Sequence, residues 1–313
     1  MLGPEHVGRR VAVRIRLDEP EPGRRFTDIT GELVEIGPEL WRVLPASGAV
    51  VTIEAAAVVA ARPIPPKPTP FSEILELERL LAATWPALES AELGGWVLRY
   101  AEGFSRRANS VLALTAPPGG LESALEAVEA WYGERGARPL VSLAGGVAKR
   151  LDEELAARGW EAEAGTAVMV KPLDSAVYDR AAYEGEAVVA DAPGEALLEQ
   201  IGQGRPAIAA AVFGSGTGRG YAEIWRGDEL AARGRGAIAG DLVAITSIGT
   251  LPAYRRQGLG TEILHALEAW GYENGARRAA LQVETDNRAA IAMYERLGYA
   301  ERYRYRYRGP VKA

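Results

Sequence analysis

Apolar and polar positions alternate strictly where the chain first becomes regular: Val11, Val13, Ile15 and Leu17 enclose Ala12, Arg14 and Arg16. A period of two is that of a strand with one face buried. Shorter runs of the same kind fall at residues 29–36, 40–44, 50–53 and 58–61, with turn residues at Gly37-Pro38 and Ser47-Gly48 between them. Five short strands within residues 1–62 predict a small β-barrel. Residues 63–70 hold Pro63, Pro65, Pro66, Pro68 and Pro70. Proline at that density favours extended polyproline II, which makes this stretch a semi-rigid linker.

Beyond the linker the period lengthens. Ile74, Leu77 and Leu81 share one helical face, and Ser72 stands where it can cap that helix. Strand and helix patterns then alternate to the end of the chain, and they repeat. Glu129-Ala130-Trp131-Tyr132-Gly133-Glu134-Arg135-Gly136-Ala137-Arg138 recurs as Glu268-Ala269-Trp270-Gly271-Tyr272-Glu273-Asn274-Gly275-Ala276-Arg277, 139 positions later. The same offset carries Gly159-Trp160 onto Gly298-Tyr299, so two related units are expected, 71–172 and 173–313. In the second, Ile263, Leu264, Leu267 and Trp270 form a stripe that packs on a sheet, and Gly275 ends the helix. A strand at 279–283 and a helix at 287–297 follow. Strand–helix–strand order of this kind requires parallel pairing and right-handed crossovers, hence an α/β (α+β) fold built on mixed sheets.

One turn carries chemistry. A strand at 241–248 runs through Thr250-Leu251-Pro252 into Arg255-Arg256-Gln257-Gly258-Leu259-Gly260-Thr261, which opens a helix. Free amides at a helix start carry partial positive charge, and glycines at 258 and 260 let an anion approach the backbone. Arg255 and Arg256 can add charge-assisted contacts to phosphate. A tight turn with solvated arginines satisfies the same residues.

Arg255, Gly258 and Gly260 match the Arg/Gln-x-x-Gly-x-Gly/Ala signature of the GNAT N-acetyltransferase superfamily, which the chain resembles. Downstream, Asn287, Ala290, Tyr294, Gly298 and Tyr299 match that family's Asn-x-x-Ala-x-x-x-Tyr-x-x-x-Gly-Phe/Tyr run. The resemblance implies two tandem GNAT-type mixed-sheet units, 71–172 degenerate and 173–313 active, behind a small SH3-like or Tudor-like barrel. Gly95-Trp96-Val97-Leu98-Arg99 and Arg107-Ala108-Asn109-Ser110-Val111, together with the barrel, resemble a group of actinobacterial acetyltransferases. It further implies acetyl-CoA as acyl donor. Backbone groups of Ile248, Gly249 and Thr250 would pair with the pantetheine arm, and the amides of Arg256, Gln257, Gly258, Leu259, Gly260 and Thr261 would hold the pyrophosphate beside Arg255. Asn287 would hydrogen-bond the pantetheine. Tyr294 would protonate the departing thiolate; its alternative is an aromatic packing role. Relatives that carry a glutamate base place it twelve residues before the tyrosine, where this chain has Gln282. Glu284 or Glu223 acting through a water, or an amine that arrives neutral, would have to replace it.

The offset also tests the first unit. Arg255, Gln257, Gly260, Asn287 and Tyr294 correspond to Ala116, Pro118, Leu121, Ala148 and Leu155. Phosphate loop, pantetheine contact and acid are all lost there, so a structural role is expected. Composition narrows the rest. With no Cys and only His6 and His265, a thiolate, a histidine-ligated metal or a Ser-His-Asp triad is not expected, and no metal is expected in the site. A net charge of −6 argues against a general nucleic-acid binder. The tail Arg302-Tyr303-Arg304-Tyr305-Arg306-Tyr307-Arg308 reads as a strand with tyrosines on one face and arginines on the other, a solvated face or one that binds RNA or an acidic acceptor. Neither a membrane span nor a signal peptide is legible, so a cytoplasmic location is expected. The expected partner is an amine acceptor, small molecule or protein; a non-catalytic acyl-CoA sensor or scaffold is the competing reading. Oligomeric state is left open.

Overall fold

Alternation at the start of the chain becomes a meander of antiparallel strands. In this computed structural model, which describes residues 2–21, 24–65, 67–146, 148–163, 165–174, 185–202, 204–216 and 218–311, the chain packs as two compact units, Met1–Pro68 and Thr69–Ala313. The first holds β1 (Arg10–Glu21), β2 (Arg24–Ile36), β3 (Leu40–Pro45), β4 (Val51–Glu54) and β5 (Val58–Pro63), ordered β4-β3-β2-β1-β5. Its core gathers Val11, Val13, Leu33, Val43 and Ile53, the inward positions of the alternation. All five expected strands form, but no described pairing joins β4 to β5, so the sheet is not a closed barrel. β4 has four residues, and a 3-10 turn at Ala55–Ala57 leads the chain straight to the far side of β1, where β5 pairs. Gly31 lets β2 and β3 touch: a Cβ there would lie 2.3 Å from the Leu44 carbonyl oxygen.

The second unit opens with α1 (Phe71–Thr84), β6 (Glu89–Leu93), β7 (Trp96–Tyr100), β8 (Val111–Ala113), α2 (Leu121–Gly133), β9 (Val141–Ala144), α3 (Lys149–Ala157), β10 (Glu161–Ala162) and β11 (Thr166–Pro172). It continues with β12 (Val188–Ala190), α4 (Glu195–Gly202), α5 (Pro206–Phe213), β13 (Arg219–Arg226), β14 (Glu229–Ala239), β15 (Leu242–Thr250), α6 (Leu259–Glu273), β16 (Arg278–Glu284), α7 (Arg288–Arg296) and β17 (Ala300–Gly309). Helix α1 starts two residues earlier than expected, with Pro70 rather than Ser72 at its N-cap and no side-chain cap. Proline's fixed φ suits it to a helix start. Asn109 takes a turn role, its oxygen accepting the amides of Ala101 at 2.8 Å and Gly103 at 2.9 Å.

All twelve strands β6–β17 belong to one sheet, ordered β12-β13-β14-β15-β16-β11-β17-β9-β8-β7-β6, with β10 beside β17. Pairing is parallel for β15 with β16 and for β8 with β9, as the strand–helix–strand order requires. Helices α6 and α7 cover one face through Ile263, Leu264, Leu267 and Tyr294, packed on Val243, Ile245 and Leu281. On the opposite face α1 lays Ile74, Leu77 and Leu81 against Leu242, Ala244, Ala280 and Val168. The tail is sided as its alternation requires. Tyr303, Tyr305 and Tyr307 are buried, while Arg302 pairs with Glu73, Arg304 with Glu301, and Arg306 and Arg308 with Asp152. Those arginines are thus already matched by carboxylates of the same chain.

The two halves exchange strands. β11 lies between β16 and β17 and pairs with both, and β17 pairs in turn with β9. A buried ion pair ties the exchanged strand down: Lys171 of β11 meets the fully buried Glu268 of α6 at 3.0 Å, and Glu268 also accepts the Tyr299 hydroxyl at 2.7 Å. Neither half can satisfy its central strand edges alone, and open edges drive association. Fragments 69–172 and 173–313 are therefore expected to be insoluble or unfolded apart and to form a folded complex when co-expressed. Size-exclusion chromatography with circular dichroism checks this; two separately folded monomers would contradict it.

Candidate active site

β15 and β16 begin side by side and then part. Their register runs from Leu242 with Arg278 to Ile245 with Leu281 and goes no further, although both strands continue. The cause lies on the other side of β15. Against β14, Arg235 faces Thr246 and Arg233 faces Gly249, so Ser247 and Ile248 together oppose Gly234. This is a β-bulge, with Ser247 at φ 56°, and a bulge bends its strand. Arg233 fastens it, donating from Nη1 to the Ser247 carbonyl at 2.6 Å and from Nε to Gln200 Oε1 at 2.9 Å. Gly249 makes room for that guanidinium: a Cβ there would sit 3.0 Å from Nη1.

Past the bulge, Leu251 N donates to Ala231 O on β14 at 2.9 Å. Antiparallel alternation then turns the backbone groups of Ile248 and Thr250 away from β14, towards the gap. Gly249 falls in the same set as Leu251 and faces Arg233. Of the three residues expected along a bound arm, two therefore present an open edge and the third shapes the bulge behind it.

The turn into α6 has the backbone of an anion cradle. Arg256 at φ 62° and Gly258 at φ 84° take left-handed conformations, and Gly258 is the N-cap of α6. No protein acceptor takes the amides of Arg256, Gln257, Gly258, Leu259 or Gly260 among the described residues. Successive amides left free around left-handed residues form a concavity that favours anions. Thr261 departs from expectation, because its amide donates to the Gly258 carbonyl at 2.9 Å and is spent inside the first helical turn. Leu259 sends its side chain into the core, so only its amide is available. Arg255 donates from Nε to Thr250 O at 3.3 Å.

Bulge, turn and α7 enclose a cleft of about 670 Å³, walled by Ile248, Gly249, Thr250, Arg255, Arg256 and Gly260 on one side and by Asn287 and Tyr294 on the other. Gln257, Gly258, Leu259 and Thr261 are not in its wall. Asn287 caps α7, its Oδ1 accepting Ala290 N at 3.1 Å, which leaves its NH2 group as a donor. Tyr294 is 9% exposed and lines the cleft, and no hydrogen bond engages its hydroxyl among the described residues. Burial raises its pKa, so the phenol keeps its proton through the neutral range. Gln200, Arg233 and Met293 also line the cleft, and sequence reasoning missed them. The one signal was Arg233 itself, a charge inside a small-residue strand.

Neither glutamate named as a substitute base borders this cleft. Glu284 is held by Arg106, and Glu223 accepts Trp225 Nε1 at 3.0 Å. Gln282 turns to the α1 face, where its side-chain oxygen is buried without a partner among the described residues. In the first half, a cleft of about 560 Å³ occupies the corresponding place beside Thr115, Ala116, Pro117, Gly120 and Ala148. Leu155, fully buried, stands there where the second half has Tyr294, so that cleft lacks the hydroxyl.

A sheet split at a bulge, with helices on both faces, is the fold of GNAT-type acyltransferases. The solved structure of a GCN5-related N-acetyltransferase from Kribbella flavida shares the fold, at TM-score 0.57 and 17% identity over 79% of this chain and 98% of that one. Residues 71–308 match the family model described as "Probable histone acetyltransferase Rv0428c C-terminal", and the chain belongs to that family. Residues 5–62 match the model of the "Rv0428c N-terminal Sm-like domain", which gives the open N-terminal sheet its class. Among curated proteins, the chain is 26% identical to "Uncharacterized N-acetyltransferase YobR" of Bacillus subtilis, over 76% of this chain and 99% of that protein. It is 27% identical to "Probable histone acetyltransferase Rv0428c" of Mycobacterium tuberculosis, over 96% of this chain and 94% of that one.

Proposed function

We propose that the chain transfers an acetyl group from acetyl-CoA to a primary amine of a small molecule or a protein, in the cleft between β15 and α7. The observation that carries this is the convergence on one gap of free amides at the turn, an open strand edge and the unpaired Tyr294 hydroxyl. In this reading the amides of Arg256 to Gly260, with the Arg255 and Arg256 side chains, hold the pyrophosphate. Ile248 and Thr250 pair with the pantetheine as an added strand would, and the Asn287 NH2 donates to it. The amine nitrogen attacks the thioester carbonyl and forms the N–C bond, and a β15 amide stabilises the resulting oxyanion. Collapse breaks the C–S bond, and Tyr294 passes its proton to the sulfur. The repeat and the exchanged strands support a tandem pair of GNAT-type units in which 71–172 serves as scaffold and 173–313 does the chemistry.

Acetyl-CoA incubated with a panel of spermidine, glucosamine and a lysine-containing peptide tests the reading. Amine-dependent thiol release is expected, with one acetyl group gained by at least one acceptor in mass spectrometry. Protein that binds acetyl-CoA but acetylates no class of amine would contradict it and favour a sensor role.

A further inference from the structure

Gln282 is the first residue of β16 beyond its last pair with β15, so it sits at the apex of the split sheet. It faces the α1 side, opposite the face that carries Tyr294. Among the described residues its Oε1 is buried without a hydrogen-bond partner, and so is Nε of Arg107; both residues border one cavity of about 10 Å³. That volume holds roughly one water, which needs two or more polar partners. Here an orphaned acceptor and an orphaned donor flank the space.

The same cavity is walled by Glu78 of α1, the one carboxylate on it, with Arg99, Ser142, Tyr305 and Tyr307. Glu78 is buried, and its only hydrogen bond among the described residues comes from the Tyr303 hydroxyl, at 2.6 Å to Oε1. Arg99 spends its guanidinium on Ser110, at 2.9 Å to both the carbonyl and Oγ. Such a carboxylate shares with Gln282 and Arg107 a cavity of one water's volume, on the face opposite Tyr294.

We propose that Glu78 receives the proton shed by the attacking amine, relayed by a water held between Gln282 Oε1 and Arg107 Nε. This rests on the acetyl-transfer reading above. The substrate ammonium gives a proton to the water, which gives one of its own to a Glu78 oxygen. The freed nitrogen pair attacks the thioester carbonyl. As the C–S bond breaks, Tyr294 gives its proton to the thiolate, the second amine proton passes to solvent water, and Tyr294 regains a proton from solvent, so one net proton is released per turnover. Glu78 returns its proton to solvent before the next turnover. Burial pushes the Glu78 pKa up, against the Tyr303 hydrogen bond and the charges of Arg99 and Arg107. Tyr303 and Tyr307 are held protonated by burial and facing groups.

The test is the pH dependence of kcat, with the fastest amine of the panel, for wild type, Glu78→Gln, Tyr303→Phe and Gln282→Leu. Acetyl-CoA affinity and thermal midpoint are measured alongside. Wild type is expected to lose activity on the acid side as Glu78 protonates. Glu78→Gln abolishes that limb and lowers kcat about 100-fold, with acetyl-CoA affinity unchanged. Tyr303→Phe removes a bond that favours the charged carboxylate, so the limb moves to higher pH. Gln282→Leu lowers kcat about tenfold without changing acetyl-CoA affinity. In a crystal structure one water bonds both Gln282 Oε1 and Arg107 Nε. A wild type that transfers nothing overturns the acetyl-transfer reading and this inference together. A transferring wild type whose limb stays fixed in Tyr303→Phe, or survives in a folded Glu78→Gln, overturns this inference alone.

Discussion

Tyr294→Phe is expected to lower kcat about 100-fold, the lower bound for loss of a positioned general acid, while acetyl-CoA binds as to wild type. Among the described residues the hydroxyl makes no hydrogen bond, so removing it strands no buried partner there and the fold is expected to stay intact. Most of the ring is packed among Leu281, Val283 and Tyr299, contacts that phenylalanine keeps. Because burial holds the phenol above the usual tyrosine range, it stays protonated through the neutral range and the loss is expected to be the same across it. Stopped-flow measurement of thiol release at saturating donor separates chemistry from binding. An unchanged rate would make Tyr294 a packing residue.

The double substitution Gly258→Glu, Gly260→Glu is expected to weaken acetyl-CoA binding by about 100-fold or more, equivalent to roughly 2.7 kcal/mol. Two effects add. Gly258 stands at φ 84°, where a Cβ costs about 1 kcal/mol and tilts the amides that form the cradle. No atom lies within 4 Å of a Cβ built at Gly258, so the conformation, not crowding, requires glycine there. Each new carboxylate would also face a diphosphate across a short gap, which repels it. Gly260 carries the second charge into the cleft wall itself.

Much of this was legible in the sequence, and for stated reasons. Period-two runs became β1 to β5, the Ile263–Leu264–Leu267 stripe became the buried face of α6, and Gly275 follows that helix at φ 97°. Alternation tells which face a residue takes, but not which strand lies beside it. For that reason the place of β11 between β16 and β17 was not readable, since its partners lie more than a hundred residues away. Ser247 gave no sign of the bulge either. A serine at positive φ is imposed by the Arg233 contact and the register around it, not by local preference. The turn into α6 was readable as a glycine-bearing helix entry because Gly258 answers a local backbone need. Glu78 was not, because what sets it apart is sharing one cavity with Gln282 on the α1 face of the sheet, and in sequence it is one more polar residue in an amphipathic helix.

Calorimetric titration of acetyl-CoA into the full chain and into the Gly258→Glu, Gly260→Glu variant tests the central claim most directly, that the split between β15 and β16 is the donor site. Saturable one-to-one binding by the wild type, lost in a variant with wild-type circular dichroism, is the expected result. Binding that survives in the variant, or is absent from a folded wild type, would contradict it.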